Sequence, residues 1–94
     1  MPIAFDQRVT IPPDVLIQEL DGESVVLNVA TERYFGLDRI GTRMWSALTT
    51  LESIEAAFDS LLAHFDVDAE RLRQDLETLV TELVDHGLLD VHDR

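Results

Sequence analysis

Arg33-Tyr34-Phe35-Gly36-Leu37 runs directly into Asp38-Arg39-Ile40-Gly41-Thr42-Arg43-Met44-Trp45, and the change of period between the two halves decides the fold. The first half alternates as a strand does, placing Phe35 and Leu37 with the stem of Arg33 on one face and Tyr34 beside Gly36 on the other. Phe35 and Leu37 are therefore assigned to the core, and Tyr34 to an exposed or half-exposed position. The second half repeats with helical spacing through Ile40, Met44, Trp45 and Leu48, all expected to face the core. Asp38 stands between them as an N-cap, and a helix is predicted from Arg39 to about Leu48.

Working back from this junction, the chain reads as strand and hairpin. Val15–Leu20 is a plausible first strand, and Asp21-Gly22 supplies the positive backbone angles of a tight turn. Ser24–Val29 returns, with Val25, Leu27 and Val29 on one face and Asn28 on the other. Residues 1–14, with Pro2, Pro12 and Pro13, read as a lead-in holding one short extended piece around Arg8–Ile11. The strand at Arg33–Leu37 thus comes last in an antiparallel meander, with one side free to pair.

Working forward, the chain reads as helices. Thr49-Thr50 is expected to break the first, and Thr50 to cap a second over Leu51–Phe65. The apolar line of that helix is Ile54, Phe58, Leu61, Leu62 and Phe65, with Ala57 allowing close approach. Asp68 is the expected cap of a third helix through His86, stopped by Gly87 in a left-handed C-cap. In this helix Leu72, Leu76, Leu79 and Leu83 fall within about 60° of arc, and Val80 and Val84 widen the stripe to about 140°. So wide a stripe either contacts both other helices or leaves one margin to line a groove. Asp75, Glu82 and His86 follow the opposite margin from Val80, beside Leu79. Leu88-Leu89-Asp90-Val91 is expected to return as an extended tail, and His92-Asp93-Arg94 to fray.

The expected class is α+β, winged helix-turn-helix-like: a three-stranded antiparallel sheet followed by three helices. The 94 residues allow one domain over 1–94, with a lead-in (1–14), a sheet (15–37) and a helical part with tail (38–89). Hydrophobic residues at 46% and few Gly and Pro indicate a folded composition. The absence of cysteine excludes disulfides, thiolate metal sites and thiol nucleophiles. No apolar run reaches the length of a membrane span, and the N-terminus lacks a secretion signal, so a cytoplasmic location without membrane contact is expected.

The 19 acidic and 7 basic side chains give a net charge of −12, and −9 of it falls after Leu48. Such a field repels nucleic acid and anionic lipid and steers basic partners; it also keeps a small protein soluble. DNA binding by the last two helices is opposed by Asp68, Glu70, Asp75, Glu77 and Glu82, set against Arg71 and Arg73. His64, His86 and His92 are too scattered to hold a metal. Asp66-x-Asp68-x-Glu70 lacks the glycine of a calcium loop, Arg71 standing in its place. No nucleophile elbow or phosphate-binding glycine loop is present, so no enzyme and no cofactor is expected. Peptide capture by strand addition has the better physical basis: the last strand offers backbone donors and acceptors, and the helix margin beside it offers pockets. Coverage of that edge by the lead-in or by a twin subunit is the competing possibility.

The stretches Val26–Asp38, Ile40–Trp45, the Thr50-led second helix, Asp75, and Leu83-Val84-Asp85-His86-Gly87-Leu88-Leu89 together resemble the PqqD-like family over about Val15–Leu89. Its members are peptide-recognition elements of ribosomally made, modified peptide pathways. The chain is most similar to the free-standing form from lasso-peptide pathways. The resemblance implies binding of a precursor leader peptide as an added strand beside the third strand, in the cleft against the third helix. It also implies delivery to a separate leader peptidase, and leader tyrosine and proline side chains in apolar pockets. By position, Arg33, Tyr34 and Phe35 would supply the strand edge, and Leu72, Asp75, Leu76, Leu79 and Val80 the helix wall. The pyrroloquinoline-quinone branch of the family, serving a radical enzyme, is the alternative within it. A structural or dimerising module and an acidic winged-helix regulator are the alternatives outside it.

Overall fold

The computed structural model describes residues 3–93; Met1, Pro2 and Arg94, with the fraying expected at Arg94, lie outside the described residues. Its elements are β1 (Arg8–Thr10), β2 (Val15–Leu20), β3 (Glu23–Asn28), β4 (Arg33–Leu37), α1 (Arg39–Thr50), α2 (Ile54–His64), α3 (Ala69–Asp85) and β5 (Asp90–His92). Strands β2, β3 and β4 form an antiparallel sheet in that order, followed by the three expected helices. The Asp21-Gly22 turn has φ of 56° and 85°, the two positive angles a two-residue hairpin needs to match strand twist. It sets Leu20 opposite Glu23 and Val15 opposite Asn28.

The buried side of this sheet carries Ser24, Val26 and Asn28 of β3 and Leu37 of β4. Val25 and Leu27 do share a face, as alternation requires, and it is the outer one. Against the inner face lie Met44, Trp45 and Leu48 of α1, Ile54, Phe58 and Leu61 of α2, and Leu72, Leu76, Val80 and Leu83 of α3, in one continuous core. Asp38 caps α1 by accepting from the Gly41 amide at 2.7 Å. Buried hydroxyls of Ser24 and Thr42 meet at 2.8 Å, so two polar groups under the sheet satisfy one another.

Ile40, expected in the core, is half exposed. The buried line of α1 runs through Gly41, Trp45 and Leu48, and Ile40 lies about 100° around the helix from Gly41. The second helix also starts later than expected. Thr50 remains in α1, where its hydroxyl donates back to the Ser46 carbonyl, and Thr49 does the same to Trp45 at 2.8 Å. Ser53 is the cap of α2 instead, accepting from the Ala56 amide at 3.0 Å.

The lead-in is tied down. The carbonyls of Gln7 and Phe5 accept the Ile54 and Glu55 amides at 2.9 and 2.7 Å, which occupies donors that the α2 N-terminus leaves free. Strand β1 pairs with β5, setting Arg8 opposite His92 and Thr10 opposite Asp90. His92 therefore lies in a strand, where fraying was expected, and its ring is 2.8 Å from the Thr10 hydroxyl. Arg73 of α3 stacks between Phe5 and Phe58, 4.4 Å from each ring centroid, and reaches Glu55 at 3.4 Å.

Candidate functional site

Within the sheet, β3 pairs with β2 on one side and β4 on the other, so both β2 and β4 are edge strands. Among the described residues no strand pairs with the outer edge of β4; the lead-in, one candidate to cover it, is taken up by β5. A cleft of 260 Å³ lies where the end of β4 runs into the start of α1, with α3 along its opposite side. Phe35, Ile40, Met44 and Leu79 give it an apolar floor. Asp38, Asp75, Thr78 and Glu82 stand around its rim.

Two sets of contacts tie the start of β4 to the end of α3. Asn28, last in β3, accepts the amides of Ala30 and Thr31 at 2.9 and 3.1 Å, which shapes the turn into β4. Its amide nitrogen donates to the Gly87 carbonyl at 2.9 Å, tying that turn to the end of α3. Gly87 itself ends α3 with φ of 73°. The Gly87 and Leu88 amides donate to Val84 and Leu83 at 3.0 and 2.8 Å, a Schellman stop closed by the buried Leu83 and Leu88. The second is that of Arg33, whose guanidinium donates to the Asp85 carbonyl at 3.2 Å. Beside it the Phe35 ring meets His86 edge-on, centroids 5.4 Å apart.

The residues singled out from sequence divide in two. Arg33, Tyr34 and Phe35 all lie on β4, and Asp75 and Leu79 line the cleft opposite. Leu72, Leu76 and Val80 lie behind that wall, 3%, 0% and 0% exposed, and form part of the core. The buried centre of α3 is displaced toward Val80, which leaves Leu79 as the half-buried margin that meets the cleft. Ile40, Met44, Thr78, Glu82 and Asn28 are additions. For Glu82 the signal was present, since it shares a margin with Asp75 at seven residues' separation; Asn28 gave none beyond its place before a turn.

A second surface adjoins the first. The outer sheet face carries Leu16, Leu27 and Tyr34 in one cross-strand row and Val25 beside Gly36 in the next. Leu16, Leu20, Val25 and Tyr34 are all exposed large apolar side chains, Leu20 by 76%. A hollow of 610 Å³ extends over Leu20, Val25 and Gly36 toward Asp38. These exposed apolar side chains make the outer sheet face a candidate interaction surface.

Among the described residues no group of three or more metal-ligating side chains is found, and no helix is long and apolar enough to cross a membrane. A family model described as coenzyme PQQ synthesis protein D (PqqD) matches residues 23–89. Two solved structures share the fold. "TbiB1 in Complex with the TbiA(beta) Leader Peptide" is 33% identical, with a TM-score of 0.79 over 86% of this chain and 94% of that one. "Lasso peptide synthetase B1 complexed with the leader peptide" is 20% identical, with a TM-score of 0.75 over 90% of this chain and 98% of the other. No curated protein is found to match the sequence.

Proposed function

The chain belongs to the PqqD family, and from that premise we propose that it is a non-catalytic recognition protein for the leader of a ribosomally made precursor in lasso-peptide maturation. The observation that carries this reading is the unpaired outer edge of β4 lying alongside the cleft with α3. A guest segment added there exchanges backbone hydrogen bonds with β4, and alternate side chains drop toward Phe35 and Leu79. The TbiB1 structure, named for its complex with a leader peptide, supports this class of guest. In this reading Arg33, Tyr34 and Phe35 furnish the edge, and Asp75 and Leu79 touch the guest. Leu72, Leu76 and Val80 act from behind, by fixing the helix that forms the wall.

Anisotropy titration of a fluorescent synthetic leader tests it. The leader should bind saturably, and N-methylation at alternate backbone positions of the bound segment should weaken binding at least tenfold, because each methyl removes a ladder donor. Insensitivity to methylation at every position would remove strand addition as the mode of capture.

The partner that receives the leader is proposed to be a separate leader peptidase, docking on the outer sheet face. Leu16, Leu20, Val25 and Tyr34 offer it an apolar centre, and Glu19, Asp21, Glu23 and Asp38 an acidic surround. A second copy would bring its own −12 charge to the same place. The face is also continuous with β4, so an added leader strand enlarges it and is held where the docked enzyme reaches the rest of the chain.

A further inference from the structure

We propose that the cleft between β4 and α3 takes a lysine or arginine side chain of the guest, its alkyl stem on Phe35, Ile40 and Leu79 and its charged head at Asp75 and Glu82. The inference rests on the strand-addition reading above and names the chemistry that this site selects.

The cleft is neither wholly apolar nor wholly polar. Its 260 Å³ is open to solvent, so a guest side chain can lie along it with its end still wet. Ile40 and Leu79 leave apolar surface exposed at its floor and Phe35 contributes a half-buried ring. Only long basic side chains join an aliphatic stem to a charged tip, and they bury the stem while the tip stays wet. The tip would meet the carboxylates at the rim.

Those carboxylates are poorly satisfied within the protein. Asp75 has Arg71 at 3.6 Å, one turn back on the same helix, and both side chains are more than half exposed. Such a pair contributes little and yields readily to a better one. The Glu82 carboxylate makes no hydrogen bond or ion pair to the described residues. Asp38 stands across the cleft, one oxygen engaged by the Gly41 amide. A guest leucine would cover the floor but crowd these charges without a partner, whereas a guest lysine or arginine serves both. Arg33 lies at the far end of β4, where its guanidinium donates to the Asp85 carbonyl, so the free carboxylates of the site gather at the Asp38–Asp75 end.

Selection from a phage library of random twelve-residue linear peptides against the full chain tests the proposal. Recovered peptides should share a lysine or arginine at one register position. In a synthetic consensus peptide, changing that residue to methionine should weaken binding to the wild type about threefold to fivefold. The same change should alter binding to an Asp75→Asn/Glu82→Gln variant less than twofold. Both positions are exposed, so the variant should melt with the wild type; Glu82→Gln alone gives the same comparison should the pair misfold. Peptides that perturb Arg33–Leu37 amide signals but show no cationic preference, or keep it on the variant, would overturn this inference and leave strand addition standing. Peptides that leave Arg33–Leu37 unperturbed would overturn both.

Discussion

Asn28 shows how much can depend on one small side chain. Its carboxamide makes three hydrogen bonds, two within the turn before β4 and one to the residue that ends α3, so both walls of the cleft are positioned from a single point. Asn28→Ala should lower stability by about 2–3 kcal/mol, because two amides and the Gly87 carbonyl lose their partner. Urea denaturation checks this, and an unchanged midpoint would mean that the turn and helix end are held by other groups. Trp45→Ala has a different cause and a larger cost. The indole is 4% exposed at the centre of α1, and its loss leaves a cavity worth about 3–5 kcal/mol. At the surface, Leu20→Lys should leave the melting temperature nearly unchanged while weakening docking of the proposed peptidase. Leader cleavage by the partner enzyme measures this, and full activity would place the docking face elsewhere.

At the scale of the elements, local signals were legible where a rule acts on adjacent residues. Asp21-Gly22, the caps Asp38 and Asp68, and the Gly87 stop are each decided within a few positions of the chain, and each stands where the sequence placed it. The start of α2 was not legible, because two hydroxyl residues compete for the role and packing chooses between them. Thr50 satisfies its hydroxyl on the preceding turn, which lets α1 continue. Ser53 meets the α2 amides just where the lead-in carbonyls arrive. Ser53→Ala should therefore cost about 1 kcal/mol, and Thr50→Ala under about 0.5 kcal/mol. Equal losses in thermal melts would contradict that assignment. The pairing of β1 with β5 joins three-residue strands some eighty positions apart, and no local pattern foretells so distant a partner. Which margin of α3 meets the cleft was likewise settled by tertiary packing: the periodicity identified the wide stripe, and packing buries Val80 and leaves Leu79 half-buried.

Across the whole molecule, the β1–β5 ribbon and Arg73, placed over the rings of Phe5 and Phe58, hold the two ends of the described chain to the helical body. Among the described residues the sheet keeps the outer edges of both β2 and β4 unpaired, and it is the edge of β4 that lies beside the cleft with α3. Negative charge over the helical half favours a basic guest, so raising salt from 0.05 to 0.5 M should weaken leader binding severalfold. Salt-independent affinity would assign the binding to apolar contacts alone. The most direct test is hydrogen exchange at the β4 backbone with and without the leader peptide. Alternate amides within Arg33–Leu37, those facing outward, should exchange rapidly in the free protein and become at least tenfold slower in the complex, while β2 is unchanged. Unaltered exchange along β4 under saturating leader, with protection arising at β2 or elsewhere, would contradict the account.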